Sequence, residues 1–290
     1  SPPTPSGPAT PRPAATPAAR RLARETGVDL TTVHGNGPNG AATRADVEAA
    51  IGGTTTTDPD DDETRVPIRG VRRRTADAMV RSAFTAPHVT VFVTVDVTAS
   101  MDLIDRLRAS AELTGFTLTP LALVAKAMLV ALRAHPELNS TWDEQRQEIV
   151  TWRRVALGIA VATDRGLVVP TVRDAHALDL TGLARAVSDA VSAARAATST
   201  PADLTGGTIT LTNVGVFGVD AGTPILPPGQ AAILCLGAIS RRPWVVDDQV
   251  VPRWVTTLGL SFDHRVLDGE QASRYLAEVA ALLSGSTDAG

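Results

Sequence analysis

Residues 52 to 64 read GGTTTTDPDDDET, and nothing in them can reach a core. Glycine, threonine and an acidic run describe a linker. A second stretch of similar character, residues 1 to 14, is built mostly of Pro, Ala, Ser and Thr. The two divide the chain into a small island, residues 15–51, and one large domain, residues 65–286. The island is too small to hold a catalytic cleft, so it reads as a binding module. Any chemistry then belongs to the large domain.

The island carries helix signals at both ends. Thr16-Pro17 reads as N-cap and first helical residue, and Gly27 stops that helix after Thr26. Thr43 and Asp46 read as a capping box for a helix reaching Ile51. The loop GNGPNG between them is rich in residues that accept positive backbone angles.

In the large domain, Val71 to Ala86 reads as a basic helix. Val91, Val93, Val95 and Val97 alternate as one face of a half-buried strand. An apolar helix is expected from Thr119-Pro120 to about Arg133, and strands surround the turn Asp164-Arg165-Gly166. Leu180, Leu183, Val187 and Val191 recur at helical spacing. Strands follow near 207–212, 231–238 and 254–262, then a last helix over about 270–283. Without a regular βαβ repeat this order predicts an α+β fold with a largely antiparallel or mixed sheet. Aromatics make up only 3% of the chain, so its core is aliphatic.

The net charge of -4 gives no reason to expect nucleic acid or an anionic membrane as partner. A single cysteine, Cys235, excludes an internal disulfide and suits a reducing compartment; a cytoplasmic location is expected. No apolar run is long enough for a transmembrane helix. Lys126 is the only lysine among 27 basic residues.

Chemistry concentrates in SFDHRVLDG (261–269), where a strand pattern ends in charge around His264. A neutral imidazole there can serve as a general base. No G-x-S-x-G elbow is present, and Cys235 sits in the apolar run AAILCLG, so a base would act on a substrate group. HExxH, Cys/His metal clusters and a Walker loop are absent, so no metal is expected. Asp268, four residues on, can share the pocket or brace the loop through an arginine. Thr212 and Asn213 end another strand, before Gly215 and Gly218, where a hydroxyl could donate to an oxyanion. Taken alone, the histidine reads more readily as an ordinary polar loop residue, and the glycines as an ordinary turn.

Taken together, these stretches resemble a known family. SFDHRVLDG is similar to the His-x-x-x-Asp-Gly signature of dihydrolipoamide acyltransferases, the cores of 2-oxoacid dehydrogenase complexes. Residues 66–98, DRGLVVPTVRDA (164–175), LTNVGVFG (211–218) and ILPPGQAAI (225–233) match the family in order. ATPAARRLARETGVDLTTVHGNGPNG (15–40) resembles its peripheral subunit-binding domain. The resemblance implies a chloramphenicol acetyltransferase-like mixed sheet flanked by helices, assembled as a homotrimer or larger, with the site between subunits. His264 would deprotonate the thiol of coenzyme A. Thr212 of a neighbouring subunit would hydrogen-bond the oxyanion, and Asp268 would hold the histidine loop. Asn213, Gly215 and Arg72 are candidate coenzyme A contacts.

Arg20 and Arg24 would present a basic face to an acidic surface of the decarboxylase or of dihydrolipoamide dehydrogenase. The lipoyl group belongs to a domain absent from this sequence, either cut away or supplied by another chain; because the sequence opens within a linker, truncation is favoured. The run VRRRTADAM and Asp268, where many acetyltransferases of the family have Asn, lean towards a branched-chain acyl group, with acetyl as the alternative. A non-catalytic scaffold and a drug acetyltransferase of the same fold are the rival readings.

Overall fold

The computed structural model describes residues 14–51, 64, 66–109, 118–164 and 166–285. They fall into two compact units, one up to Ala76 and one from Asp77 onward. The expected linkers at 1–14 and 52–64 lie almost wholly outside the described residues.

In the first unit, α1 (Pro17–Thr26) starts where its cap dictates: the Ala19 amide donates to the Thr16 hydroxyl, and Gly27 stops the helix at φ 72°. α2 (Arg44–Ile51) is opened by Thr43 and Asp46 in a reciprocal cap, each side chain accepting the other's backbone N–H. Asp46 reaches further. Its carboxylate also accepts Asn36 N–H and the Asn36 amide, both at 2.9 Å, and so pins the GNGPNG loop. Ala19, Ala23 and Val47 form the buried centre of this unit.

The second unit is built on a mixed sheet. Its strands are β1 (His88–Asp96), β4 (Leu157–Ile159), β7 (Thr171–Val172), β8 (Ile209–Asn213), β9 (Ala232–Leu236), β10 (Ser240–Val246) and β11 (Gln249–Asp263). The order is β1-β11-β9-β8-β4-β7, with β10 folded back on β11. β8 runs parallel to β4 and β9, and the remaining pairs are antiparallel. Two hairpins stand apart: β2 (Ser140–Asp143) with β3 (Glu148–Thr151), and β5 (Val161–Thr163) with β6 (Gly166–Val168). The mixed-sheet α+β expectation therefore holds.

Burial explains each element. Every residue of β9 is buried, as its run AILCL demands. Helix α5 (Pro120–Ala131) is buried on most of its circumference and forms part of the core. Helix α7 (Gly269–Ser284) buries Ala272, Tyr275, Leu276, Val279, Ala280 and Leu283, one stripe at helical spacing. Helix α6 (Leu180–Arg195) buries Leu183 and Val187, as its periodicity predicts. Lys126 reaches from α5 to the carbonyl of Leu178 at 2.7 Å, just ahead of the Asp179 cap of α6.

Three features leave little trace in the sequence. Helix α4 (Thr98–Ala109) buries only Ser100 and Ile104 along its length, so its apolar stripe is thin. The β2–β3 hairpin is short and largely exposed. β10 turns into β11 through Asp247 and Asp248, both at positive φ (49° and 60°), without the glycine that usually flags such a turn. Helix α3 (Gly70–Thr85) spans the division between the units, within one residue of its expected bounds.

Candidate active site

β11 delivers the histidine. Its last turn of pairing sets Phe262 against Ala232 and His88 against Asp263, and the chain then leaves the sheet. His264 follows at once, exposed, with its ring 5.9 Å from that of Phe262. Its main-chain N–H donates to Pro87 O at 2.9 Å.

Asp263 ties the loop. This residue is 3% exposed, and its carboxylate accepts the Arg265 amide and the Arg265 guanidinium, the latter at 2.7 Å from Nη2. Its carbonyl accepts Val266 N–H and Leu267 N–H. The bond to Asp263 holds the Arg265 guanidinium above even its usual high range. The guanidinium also lies 4.9 Å over the Trp142 ring. Leu267 is buried and anchors the far side. The brace through an arginine is therefore made by Asp263 and not by Asp268.

Asp268 does different work. It is the N-cap of α7, accepting Gln271 N–H at 2.9 Å while the Gln271 side chain accepts Asp268 N–H at 3.0 Å. It fixes the place where the histidine loop becomes helix. Beside the loop lies a cavity of ≈ 460 Å³, lined among others by Arg81, Thr85, Trp142, Glu144, Pro228 and Arg265.

Thr212 stands elsewhere. In register it lies level with Cys235 of β9, and Cys235 with Gly259 of β11. His264 is five residues beyond Gly259 and two strands across. At ordinary strand rise and spacing that is a separation of roughly 20 Å. One chain therefore does not bring Thr212 and His264 to the same atom.

Asn213 follows at the end of β8, its amide oxygen buried without a hydrogen-bond partner among the described residues. Gly215 packs face to face with Gly237: a Cβ there would sit 2.3 Å from Gly237 O. Cys235 is buried, and burial pushes its thiol above the usual range, so it is a poor nucleophile. Arg72 is exposed in the first turn of α3 and belongs to the first unit. There too, Arg24 is exposed, whereas the Arg20 guanidinium turns back to Ala15 O at 3.1 Å.

Residues 60–289 match the family model for 2-oxoacid dehydrogenases acyltransferase (catalytic domain). The chain belongs to that family. Residues 13–48 match the E3 binding domain model. Among relatives, the chain is similar to the lipoamide acyltransferase component of the branched-chain alpha-keto acid dehydrogenase complex of Pseudomonas aeruginosa. The identity is 36% over 282 residues, covering 94% of this chain and 66% of the relative. It is 34% identical to the dihydrolipoyllysine-residue acetyltransferase component of the pyruvate dehydrogenase complex of Staphylococcus aureus, covering 93% and 69%. The chain thus spans about two thirds of the length of these relatives.

A dihydrolipoamide acetyltransferase from Azotobacter vinelandii superposes with a TM-score of 0.73 at 32% identity, covering 78% of this chain and 93% of the other. It was solved to examine a serine, a histidine and an asparagine in its catalytic mechanism. That serine precedes the histidine by 52 residues and the asparagine follows it by four. In this acyltransferase chain Thr212, His264 and Asp268 have the same spacing. His88 and the Asp263–Arg265 tie escaped the sequence reading. A histidine opening a strand and an Asp-x-Arg at a strand end are the only local traces they leave.

Proposed function

We propose that this chain transfers an acyl group from acyl-dihydrolipoamide to coenzyme A, as part of the core of a 2-oxoacid dehydrogenase complex. The observation that carries it is His264, exposed on a braced turn in a protein whose one thiol is buried. With no nucleophile of its own, the site suits a base acting on a substrate thiol. His264 takes the proton from the coenzyme A thiol. The thiolate attacks the thioester carbonyl, and Thr212 of a second copy donates a hydrogen bond to the oxyanion. Collapse breaks the bond to the lipoyl sulfur, which takes the proton back from the imidazolium.

Two observations support the second copy. His264 and Thr212 are far apart in one chain, and the turn after Thr212 exposes Val216, Phe217 and Val219. A homotrimer of this family is the assembly we propose, with Asp268 holding the loop and Asn213 and Gly215 meeting coenzyme A. The acyl donor comes on a lipoyl group carried by a domain outside this sequence. No helix among the described residues is long and apolar enough to cross a membrane. A cytoplasmic location is the reading we favour, because the single cysteine suits a reducing compartment. The small unit docks dihydrolipoamide dehydrogenase or the decarboxylase through Arg20 and Arg24.

The favoured acyl group is branched-chain, in line with the Pseudomonas relative; acetyl is the second reading, in line with the Staphylococcus relative. A panel of acyl-CoAs assayed with free dihydrolipoamide separates them: a higher kcat/KM for acetyl than for isobutyryl or isovaleryl overturns the first. If His264→Ala keeps normal transfer, the base assignment is wrong.

A further inference from the structure

His264 is held by the turn that opens β1, through the hydrogen bond from its amide to Pro87 O. The next residue on that turn, His88, pairs in register with Asp263, the neighbour of His264. His88 uses both of its ring nitrogens. Leu226 N–H donates to Nε2 at 2.9 Å, and Nδ1 lies 2.7 Å from Ala86 O. A backbone amide can only donate, so Nε2 carries no proton and Nδ1–H donates to Ala86. The ring is a neutral strut between the Ala86–His88 turn and the ILPPGQ segment. Leu226 is a firm anchor for it: the residue is 1% exposed, packs with Ala86 and Ile233, and its carbonyl accepts the Ser82 hydroxyl at 2.6 Å.

We propose that His88 is a positioning residue for acyl transfer, acting on His264 through Pro87. The proposal rests on His264 being the base. With both ring nitrogens engaged, His88 has none left for a substrate, so it acts by placement. Placement matters because a misplacement near 1 Å can cost on the order of a hundredfold in rate.

The test pairs kinetics with amide hydrogen exchange on the whole chain. In His88→Phe, kcat falls tenfold or more, by roughly the cost of misplacement, while KM for coenzyme A and for the acyl donor stays within about twofold. Exchange of the 261–268 peptide speeds up, and that of the α5 peptide does not. His88→Gln, which puts an acceptor near the place of Nε2, recovers part of both. Wild-type kcat in His88→Phe overturns the proposal. So does unchanged exchange at 261–268, or an equal rise in α5, which marks general loosening. Parallel assay of His264→Ala keeps the two failures apart: normal transfer there sinks the base reading, while the exchange data still decide whether His88 clamps the loop.

Discussion

Asp46 shows how much one carboxylate can organise. The Asn36 amide and then the Thr43 amide, with side-chain donors from the same residues, lower its pKa to about 2 from 3.8. Because the folded value is the lower one, the stability it lends the small unit is complete above the ordinary value and is lost as pH falls from about 4 towards 2. Circular dichroism of the isolated 13–51 segment, in acid titration, should show this loss; in Asp46→Ala the same segment should be less helical already at pH 7 and should lack the acid step. Asp263 plays the matching part in the large unit. Asp263→Ala leaves Arg265 half-buried without its carboxylate, which costs about 2 kcal/mol in denaturant unfolding, and it should lower kcat more than it raises KM. The proposed roles of His264 and Thr212 could be drawn from the sequence because their motifs resemble those of the family. Those of Asp263 and His88 could not, since each depends on what the fold sets beside it: a guanidinium bent back across a turn, and a loop 138 residues away.

Among the elements, the close crossing of the turn at Gly215 with the end of β9 leaves no room for a side chain. Gly215→Ala forces the backbone of Gly237 aside and should cost about 1–3 kcal/mol, read as a lower midpoint in urea. The β10–β11 turn offers the opposite case. Asp247 and Asp248 both hold left-handed backbone angles that Asn-Gly adopts more easily. Replacing them by Asn and Gly should raise stability by about 0.5–1 kcal/mol; no change in midpoint would show the turn to be unstrained. Elements with strong caps and deep stripes, α1, α5 and α7, could be read from the sequence almost to the residue. Those with thin apolar faces, α4 and the β2–β3 hairpin, could not, because little in them distinguishes a buried side from an exposed one.

At the scale of the whole molecule, the proposed sharing of the site between copies makes a prediction about mixtures. His264→Ala should lose about 10²–10⁴-fold in rate, and Thr212→Val about 10²-fold. Co-expressed in equal amounts, the two inactive chains should regain about a quarter of wild-type sites, since an intact site needs a Thr212 from one chain and a His264 from its neighbour. No recovery beyond the sum of the two variants would place both residues in one chain. A different consequence follows from Lys126, the sole lysine, whose ammonium is spent on Leu178 O where α5 meets the approach to α6. Apart from the terminal amine, an amine-directed fluorophore or crosslinker has a single target in this sequence, a half-buried ammonium held by a hydrogen bond to Leu178 O. Faster pulse labelling of this one side chain would therefore report loosening where α5 meets the approach to α6, without any engineered probe.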